Sequence, residues 1–278
     1  NYSLYLTMAN SQSSQPIGVF DSGIGGLTVA HAISNLMPNE RIIYFGDTAH
    51  LPYGDKSPDL IHSFVQSISK FLIRKENCKA VVMACNTASA TSYEFLRDKH
   101  EGNFPIINVI DPIVEAIVSD NSIKKVGLIA TKTTVESGVY QEKLNRRNPE
   151  LEIEVLATPL LAPMIEEGFS QDKISHTVIE NYLSNPKFKD IDALILGCTH
   201  YVLIADEISE FFDGKVKLFD STDILASKLK VILDNENLLS DKKEKRNKFY
   251  VSDLTKGFSE SASRFYGENL VLELNKID

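Results

Sequence analysis

The chain has 278 residues, 43% of them hydrophobic and 24% charged, with a net charge of −9. That length allows one large domain or two of ordinary size, and the acidic balance argues against a general nucleic-acid binder, which would carry a basic face. Three cysteines cannot all pair within one chain, and no apolar run approaches the ~20 residues of a membrane span, so free thiols and no membrane association are expected.

The first fifteen residues, NYSLYLTMANSQSSQ, lack the basic and apolar regions of a signal peptide. They are read as a flexible extension, with Met8 as a start. Ile17–Phe20 is a short apolar strand that runs into Asp21-Ser22-Gly23-Ile24-Gly25-Gly26. Helical spacing follows at Leu27, Ala30, Ile33 and Leu36. The glycine turn is neither a dinucleotide fingerprint, since Thr28 sits where the third glycine belongs, nor a P-loop. It leaves Asp21 and Ser22 beyond the carboxyl end of a strand, where open α/β sheets place ligands.

Arg41–Phe45 reads as the second strand, followed by a loop holding Gly46-Asp47-Thr48 and Leu51-Pro52-Tyr53-Gly54. A helix is expected over Ser57–Lys75. Ala80–Ala84 is the third strand and delivers Cys85-Asn86-Thr87, with a helix to about Lys99 and a further strand at Ile106–Ile110. The second half repeats the plan. Val126–Ala130 is a strand ending at Thr131, with a helix from Val135 to about Arg146. Ile153–Leu156 is a strand followed by a proline-bracketed loop into Glu166-Glu167-Gly168. Ile174–Leu183 is helical, and Ala193–Leu196 is a strand that delivers Cys198-Thr199-His200. Asp21 to Cys85 spans 64 positions and Thr131 to Cys198 spans 67, which suggests an internal duplication. In the tail, Val216–Phe219 reads as a strand, Asp223–Leu233 as a helix, Phe249–Val251 as an edge strand and Ser259–Tyr266 as part of a helix.

Alternating strands and helices predict an α/β protein with mainly parallel sheets covered on both faces, its two halves built to a similar doubly wound plan. The expected division is a first domain of residues 16–110 plus 220–278, since the tail has too little pattern to stand alone, and a second domain of residues 111–219.

A lone buried cysteine is usually a small hydrophobe, and Cys78 fits that description. Cys85 and Cys198 each sit at a strand-to-helix junction, where a helix N-terminus favours the thiolate. Asp21 reads as a turn residue supporting Gly23 or as the carboxylate neighbour of Cys85, and His200 as a core or surface histidine or, beside Cys198, as an imidazole able to hydrogen-bond the thiol or hold a proton. Glu166 reads either as a surface residue or as one positioned by its loop. Ser22, Tyr53, Asn86, Thr87, Thr131 and Thr199 all lie at strand ends or on adjoining loops. They read as helix caps or, together with backbone N–H groups, as a set able to bind carboxylates. His31, His50, His62, His100 and His176 show no partner. No metal is expected, because only His200 lies at ligand spacing from either cysteine. Two thiols flanking a small acid suggest proton exchange at carbon: one removes a proton from one face, the other delivers one to the opposite face, and no cofactor is required.

These residues resemble the glutamate racemases of the cofactor-independent aspartate/glutamate racemase superfamily. The likeness runs from Ile17 to about Tyr266 through GVFDSGIGGLTV, DTAHLPYGDKS, ACNTAS, TVESGVY and GCTHY. It implies that Cys85 takes the proton from D-glutamate and Cys198 from L-glutamate, aided by Asp21 and His200. It implies that Glu166 is the second acid, and that Asp21-Ser22, Tyr53-Gly54, Asn86-Thr87 and Thr199-His200, with Thr131, bind substrate. It further implies two doubly wound α/β domains with the active site in the interdomain cleft, and a bacterial cytoplasmic enzyme supplying D-glutamate for peptidoglycan. A homodimer is the base-rate expectation for association. Two other readings stay open on sequence alone: an aspartate-preferring racemase, and a non-catalytic amino-acid-binding protein on the same fold. A thiol redox protein would want a second cysteine close in sequence, and there is none.

Overall fold

A computed structural model of the chain describes residues 12–100, 104–242, 246–267 and 269–277. In order, the first part runs β1 (Ile17–Asp21), α1 (Leu27–Leu36), β2 (Ile42–Gly46), α2 (Pro58–Lys70), β3 (Ala80–Met83), α3 (Asn86–Lys99), β4 (Ile106–Asn108) and α4 (Ile110–Ser119). The second part runs β5 (Lys125–Ala130), α5 (Lys132–Glu136), α6 (Val139–Arg147), β6 (Glu152–Ala157), α7 (Leu161–Glu166), α8 (Lys173–Leu183), β7 (Ala193–Gly197), α9 (Ala205–Phe211) and β8 (Lys217–Phe219). The tail holds α10 (Thr222–Asn235), β9 (Lys248–Val251), α11 (Lys256–Tyr266) and β10 (Leu272–Leu274).

The fold is α/β with two separate sheets. One has the order β10-β9-β2-β1-β3-β4 and the other β6-β5-β7-β8. Every pairing among the described strands is parallel. This follows from the sequence: β2, β3 and β7 are unbroken apolar runs, as is β1 up to its terminal Asp21, and all four are buried along their whole length, as a sheet covered on both faces requires.

The two sheets share one topology. The order 2-1-3-4 in the first matches 6-5-7-8 in the second, with β9 and β10 added beyond β2. In each, the chain leaves the central strand for one neighbour and then returns to pair on its other side. That reversal opens a crevice at the carboxyl ends of β1 and β3, and again at those of β5 and β7. Asp21 and Cys85 lie at the first crevice, Thr131 and Cys198 at the second. The spacing match in the sequence therefore has a structural counterpart. One apolar core runs from under the first sheet into the second half, while a smaller one fills the outer face of the first sheet.

Several expectations are corrected. Phe249–Val251 is not at an edge: β9 pairs with both β2 and β10. The edge is β10, a three-residue strand whose Glu273 and Leu274 are exposed and which carries no readable pattern. The strand at Ile106 stops at Asn108, because the Asn108 side-chain oxygen accepts from the N–H groups of Ile110 and Asp111 and turns the chain into α4. The helix expected from Val135 to Arg146 is two, separated at Gly138, whose φ of +67° is the left-handed region that glycine tolerates. The helix expected through Lys75 is α-helical only to Lys70 and widens into a π turn over Phe71–Lys75. Ahead of α10 the Asp220 side chain accepts from the Thr222 N–H at 2.8 Å.

Of the extension expected to be loose, residues 1–11 lie outside the described residues. Ser13 is held: its carbonyl accepts from Lys79 Nζ at 2.6 Å. Lys79 is itself buried against Glu40 at 2.6 Å and also donates to the Leu238 carbonyl, so one lysine ties three segments to the base of the first sheet.

Candidate active site

The first cysteine is delivered by β3. Cys85 is the N-cap of α3, with extended backbone, and its sulfur accepts from the Ala88 N–H at 3.4 Å. Its thiol donates to Ser22 Oγ at 3.6 Å. Asp21 ends the adjacent β1. Its Oδ2 accepts from the N–H groups of Gly23 and Gly26, both at 3.1 Å. Gly26 must be glycine, since a Cβ there would lie 2.6 Å from that of Asp21. Beneath this turn Tyr44 donates its hydroxyl to the Gly23 carbonyl at 2.9 Å.

Burial dominates the electrostatics here. It raises the Asp21 carboxyl above its ordinary value, although His200 and the backbone N–H groups pull it down. Burial, then the Asp21 charge, pushes the Cys85 thiol up to about 12, against the lowering influence of Ala88 N–H and Ser22. The sequence argument that a helix N-terminus favours the Cys85 thiolate is thereby corrected. One N–H contact is outweighed by desolvation and an anionic neighbour.

The second cysteine is delivered by β7. Cys198 precedes a 3₁₀ turn over Thr199–Ile204, and its side chain makes no capping bond. Its Sγ lies 3.5 Å from His200 Nδ1, and His200 Nε2 lies 2.8 Å from Glu166 Oε1. Sulfur, imidazole and carboxylate thus form a relay, and the acid facing His200 is Glu166 rather than its neighbour Glu167. Burial alone would lower the imidazole, but Cys198 and Glu166 more than reverse that and hold it well above its ordinary value. Two residues from α11 brace the relay. Phe265 presents its ring to His200 in a T-shaped contact at 5.1 Å, and Arg264 Nη2 donates to the Glu166 carbonyl at 3.2 Å.

The two halves close on one another at this point. Gly25 approaches so near that a Cβ there would lie 2.5 Å from both the His200 ring and Thr199 Oγ1. Thr87 of the first half meets Thr131 at 2.9 Å and Thr134 at 3.2 Å, and the last two meet at 3.0 Å. Thr133 donates to the Gly54 carbonyl at 2.7 Å, and Tyr140 donates to Asn86 Oδ1 at 2.7 Å. Cys198 is near enough that its charge bears on Cys85. The structure thus brings Asp21, Ser22, Gly54, Asn86, Thr87, Thr131, Thr199 and His200 together with both cysteines along one seam.

Tyr53 is placed differently from a residue that binds through its hydroxyl. The hydroxyl donates to Asp47 Oδ2 at 2.5 Å. Asp47 is buried and also accepts from Ser252 at 2.8 Å and meets His50 Nδ1 at 2.8 Å. His50, read as lacking a partner, thus has one, and it stacks on Phe64. His62 likewise has a partner in the Thr91 carbonyl, and His31 in Asn35. Asp47, Thr134, Tyr140, Ser252, Arg264 and Phe265 went unremarked as individual residues in the sequence. Asp47, Thr134 and Tyr140 do lie inside the motifs that carry the resemblance; Ser252, Arg264 and Phe265 carry no local signal. Cys78 is buried under Gly18 and far from the seam, and burial raises its thiol well above the ordinary value. Among the described residues no group of three or more His, Cys, Asp and Glu side chains is placed to hold a metal ion.

Two parallel sheets, each with a cysteine at its reversal, define the architecture, and sequence comparison gives its family. The model of the Asp/Glu/hydantoin racemase family matches residues 27–229, and the chain belongs to that family. Among its relatives, glutamate racemase of Geobacter metallireducens is 40% identical over 255 residues, covering 91% of this chain and 93% of the relative. Glutamate racemase of Neisseria meningitidis serogroup A is 40% identical, covering 95% and 97% of the two chains. The crystal structure of glutamate racemase from Francisella tularensis in complex with D-glutamate superposes with a TM-score of 0.88 at 38% identity, covering 95% and 98%.

Proposed function

We propose that the chain is a racemase that interconverts L- and D-glutamate by proton transfer between two cysteines and Cα. The observation that carries this reading is the pair of cysteines at equivalent reversals of the two sheets, meeting at one seam with helpers of opposite charge. In the L-to-D direction Cys198 acts as thiolate and removes the Cα proton, while the His200 imidazolium balances the developing charges. The Cys85 thiol, protonated at ordinary pH, then gives its proton to the opposite face of the carbanion. Cys198 ends as thiol and Cys85 as thiolate, and solvent exchange through the helpers resets the pair. In the reverse direction Cys85 is the base and Asp21, whose own carboxyl is raised by burial, accepts its proton. General acid–base assistance of this kind is worth about 10²–10⁴ in rate.

Substrate carboxylates are bound by side chains and backbone N–H groups on the seam: Ser22, Asn86, Thr87, Thr131, Thr199, and Tyr53-Gly54 through their main chain. The close seam excludes water, which would otherwise quench the carbanion. The product D-glutamate serves peptidoglycan synthesis in the bacterial cytoplasm. No helix among the described residues is long and apolar enough to cross a membrane. The two-domain division at residues 110 and 220 is adopted for this reading, with the tail completing the first sheet; association as a homodimer is part of it.

The test is incubation with L-glutamate in deuterated water. D-glutamate carrying deuterium at Cα is expected. Absence of exchange with either enantiomer would sink the racemase reading. Aspartate run alongside should turn over at least tenfold less well, because one methylene is worth about 10–200-fold in a fitted site; equal or faster turnover of aspartate would overturn the choice of substrate.

A further inference from the structure

Tyr140 and Asn86 meet across the two halves of the chain. Asn86 opens α3 directly after Cys85, and Tyr140 lies in the first turn of α6, just past the left-handed Gly138. Tyr140 is wholly buried and Asn86 is 3% exposed. The Tyr140 hydroxyl donates to Asn86 Oδ1 at 2.7 Å. Burial, then the charge of Asp111, pushes the Tyr140 phenol far above its ordinary value, so it remains a donor at any working pH.

With its oxygen taken, Asn86 has only its Nδ2 left to offer. That atom is buried and has no hydrogen-bond partner among the described residues. An unpaired buried donor bears the full desolvation cost of the group. Rotating the amide by half a turn would not remove the cost. It would strand the phenol proton and turn a carbonyl toward any anion bound beside Cys85. The tyrosine therefore selects one of the two amide orientations, the one that presents N–H groups.

We propose that Tyr140 is a positioning residue that locks the Asn86 amide so that its Nδ2 donates to a carboxylate of the substrate. This rests on the racemase reading given above. It makes recognition of the first-half binding residue depend on a side chain of the second half.

The experiment compares wild type with Tyr140→Phe, which keeps the ring and removes one oxygen. D-glutamate affinity is read by titration calorimetry, and kcat and KM are read with both enantiomers. Kd and KM should rise roughly five- to tenfold while kcat stays within about twofold, because a carboxylate contact is made equally in ground and transition states. A purely structural role would lower the melting temperature and leave Kd and KM unmoved, and that result overturns the proposal. In an Asn86→Ala background the same change should alter Kd by less than about twofold; if the two effects multiply instead, Tyr140 acts elsewhere and the proposal fails. Should Tyr140→Phe not fold, Asn86→Asp decides. It keeps an acceptor for Tyr140 but presents oxygen to the substrate, so Kd should rise more than tenfold, and wild-type affinity would overturn the assignment. A wild-type chain that neither binds nor turns over glutamate sinks the functional reading and this inference with it. Wild-type turnover with unchanged binding in Tyr140→Phe sinks the inference alone.

Discussion

The Cys85 and Cys198 crevices have the same backbone and opposite electrostatics. Each cysteine follows the strand that returns beside the first strand of its half, in sheets of matching order. Beside Cys85 stands a buried carboxylate, fixed by two backbone N–H groups. Beside Cys198 stands an imidazole whose proton affinity Cys198 and Glu166 hold well above its ordinary value. A duplicated scaffold can place two equivalent atoms, but it does not oblige them to have equivalent surroundings. Here burial and Asp21 bias the first thiol toward holding its proton, while the second lies 3.5 Å from an imidazole raised above its ordinary value. That difference suits a reaction that needs one acid and one base at a time.

The largest effects should come from deleting either thiol. Cys85→Ala and Cys198→Ala are each expected to lower racemisation by at least about 10³-fold. They should differ in what survives. With Cys198 intact, deuterium should wash into L-glutamate alone; with Cys85 intact, into D-glutamate alone. Mass spectrometry of each recovered enantiomer checks this, and exchange into both enantiomers by either variant would break the assignment of one thiol to each face.

Next come the helpers. Asp21→Asn and His200→Asn should each reduce kcat about 100-fold. Because the two enantiomers have equal free energy in water, kcat/KM must remain the same in both directions in every variant. The asymmetry can therefore show only in kcat and KM taken separately, and progress curves from each enantiomer would reveal it. Asp21→Asn should also bring the Cys85 thiol down from about 12, since the carboxylate charge is the second cause of its elevation.

A smaller effect is expected from Glu166→Gln. The bond from His200 Nε2 to Glu166 helps hold the imidazole proton. Losing the charge should cost about three- to tenfold in kcat and move the alkaline limb of the pH–rate profile downward. The stability consequence has a definite sign. A histidine raised in the folded state contributes stabilisation that is complete below about 6.5, the unfolded value, and is lost as pH rises through the folded value. Melting temperature in the wild type should therefore fall across that interval, and in Glu166→Gln it should fall earlier and by less. An unchanged profile would mean that Glu166 does not tune the imidazole.

The smallest effect belongs to Cys78→Ala. This thiol is buried under Gly18 on the outer core, away from the seam. Turnover should stay within about twofold, with a stability loss of about 1 kcal/mol from the missing sulfur. Loss of activity in the folded variant would dissolve the distinction between this cysteine and the other two.

Much of the frame was legible because buried parallel strands leave unbroken apolar runs and their ends are marked by small polar residues. The match between the halves could be read from spacing alone. Short or interrupted elements could not: β10 is three residues long, and α4 begins with a side-chain turn at Asn108 inside what looked like a continuing strand. At the site, residues at strand ends were found, since position in sequence implies position in the crevice. Residues that arrive from elsewhere were not. Ser252, Arg264 and Phe265 come from the tail, and nothing near them in sequence points to Asp47, Glu166 or His200. Nor does a motif reveal sign: the strand-to-helix junction suggested a thiolate at Cys85, and burial beside Asp21 pushes the thiol the other way.

The glycine at position 25 has a consequence for length scale. With no side chain there, main chain of the first half comes to rest directly against His200 and Thr199, the residues that follow Cys198. One tetrahedral carbon spans only a few ångströms and must touch a thiol on each face. A methyl group at this position would work as a wedge, and the widened jaws could grip the same amino acid from only one side at a time.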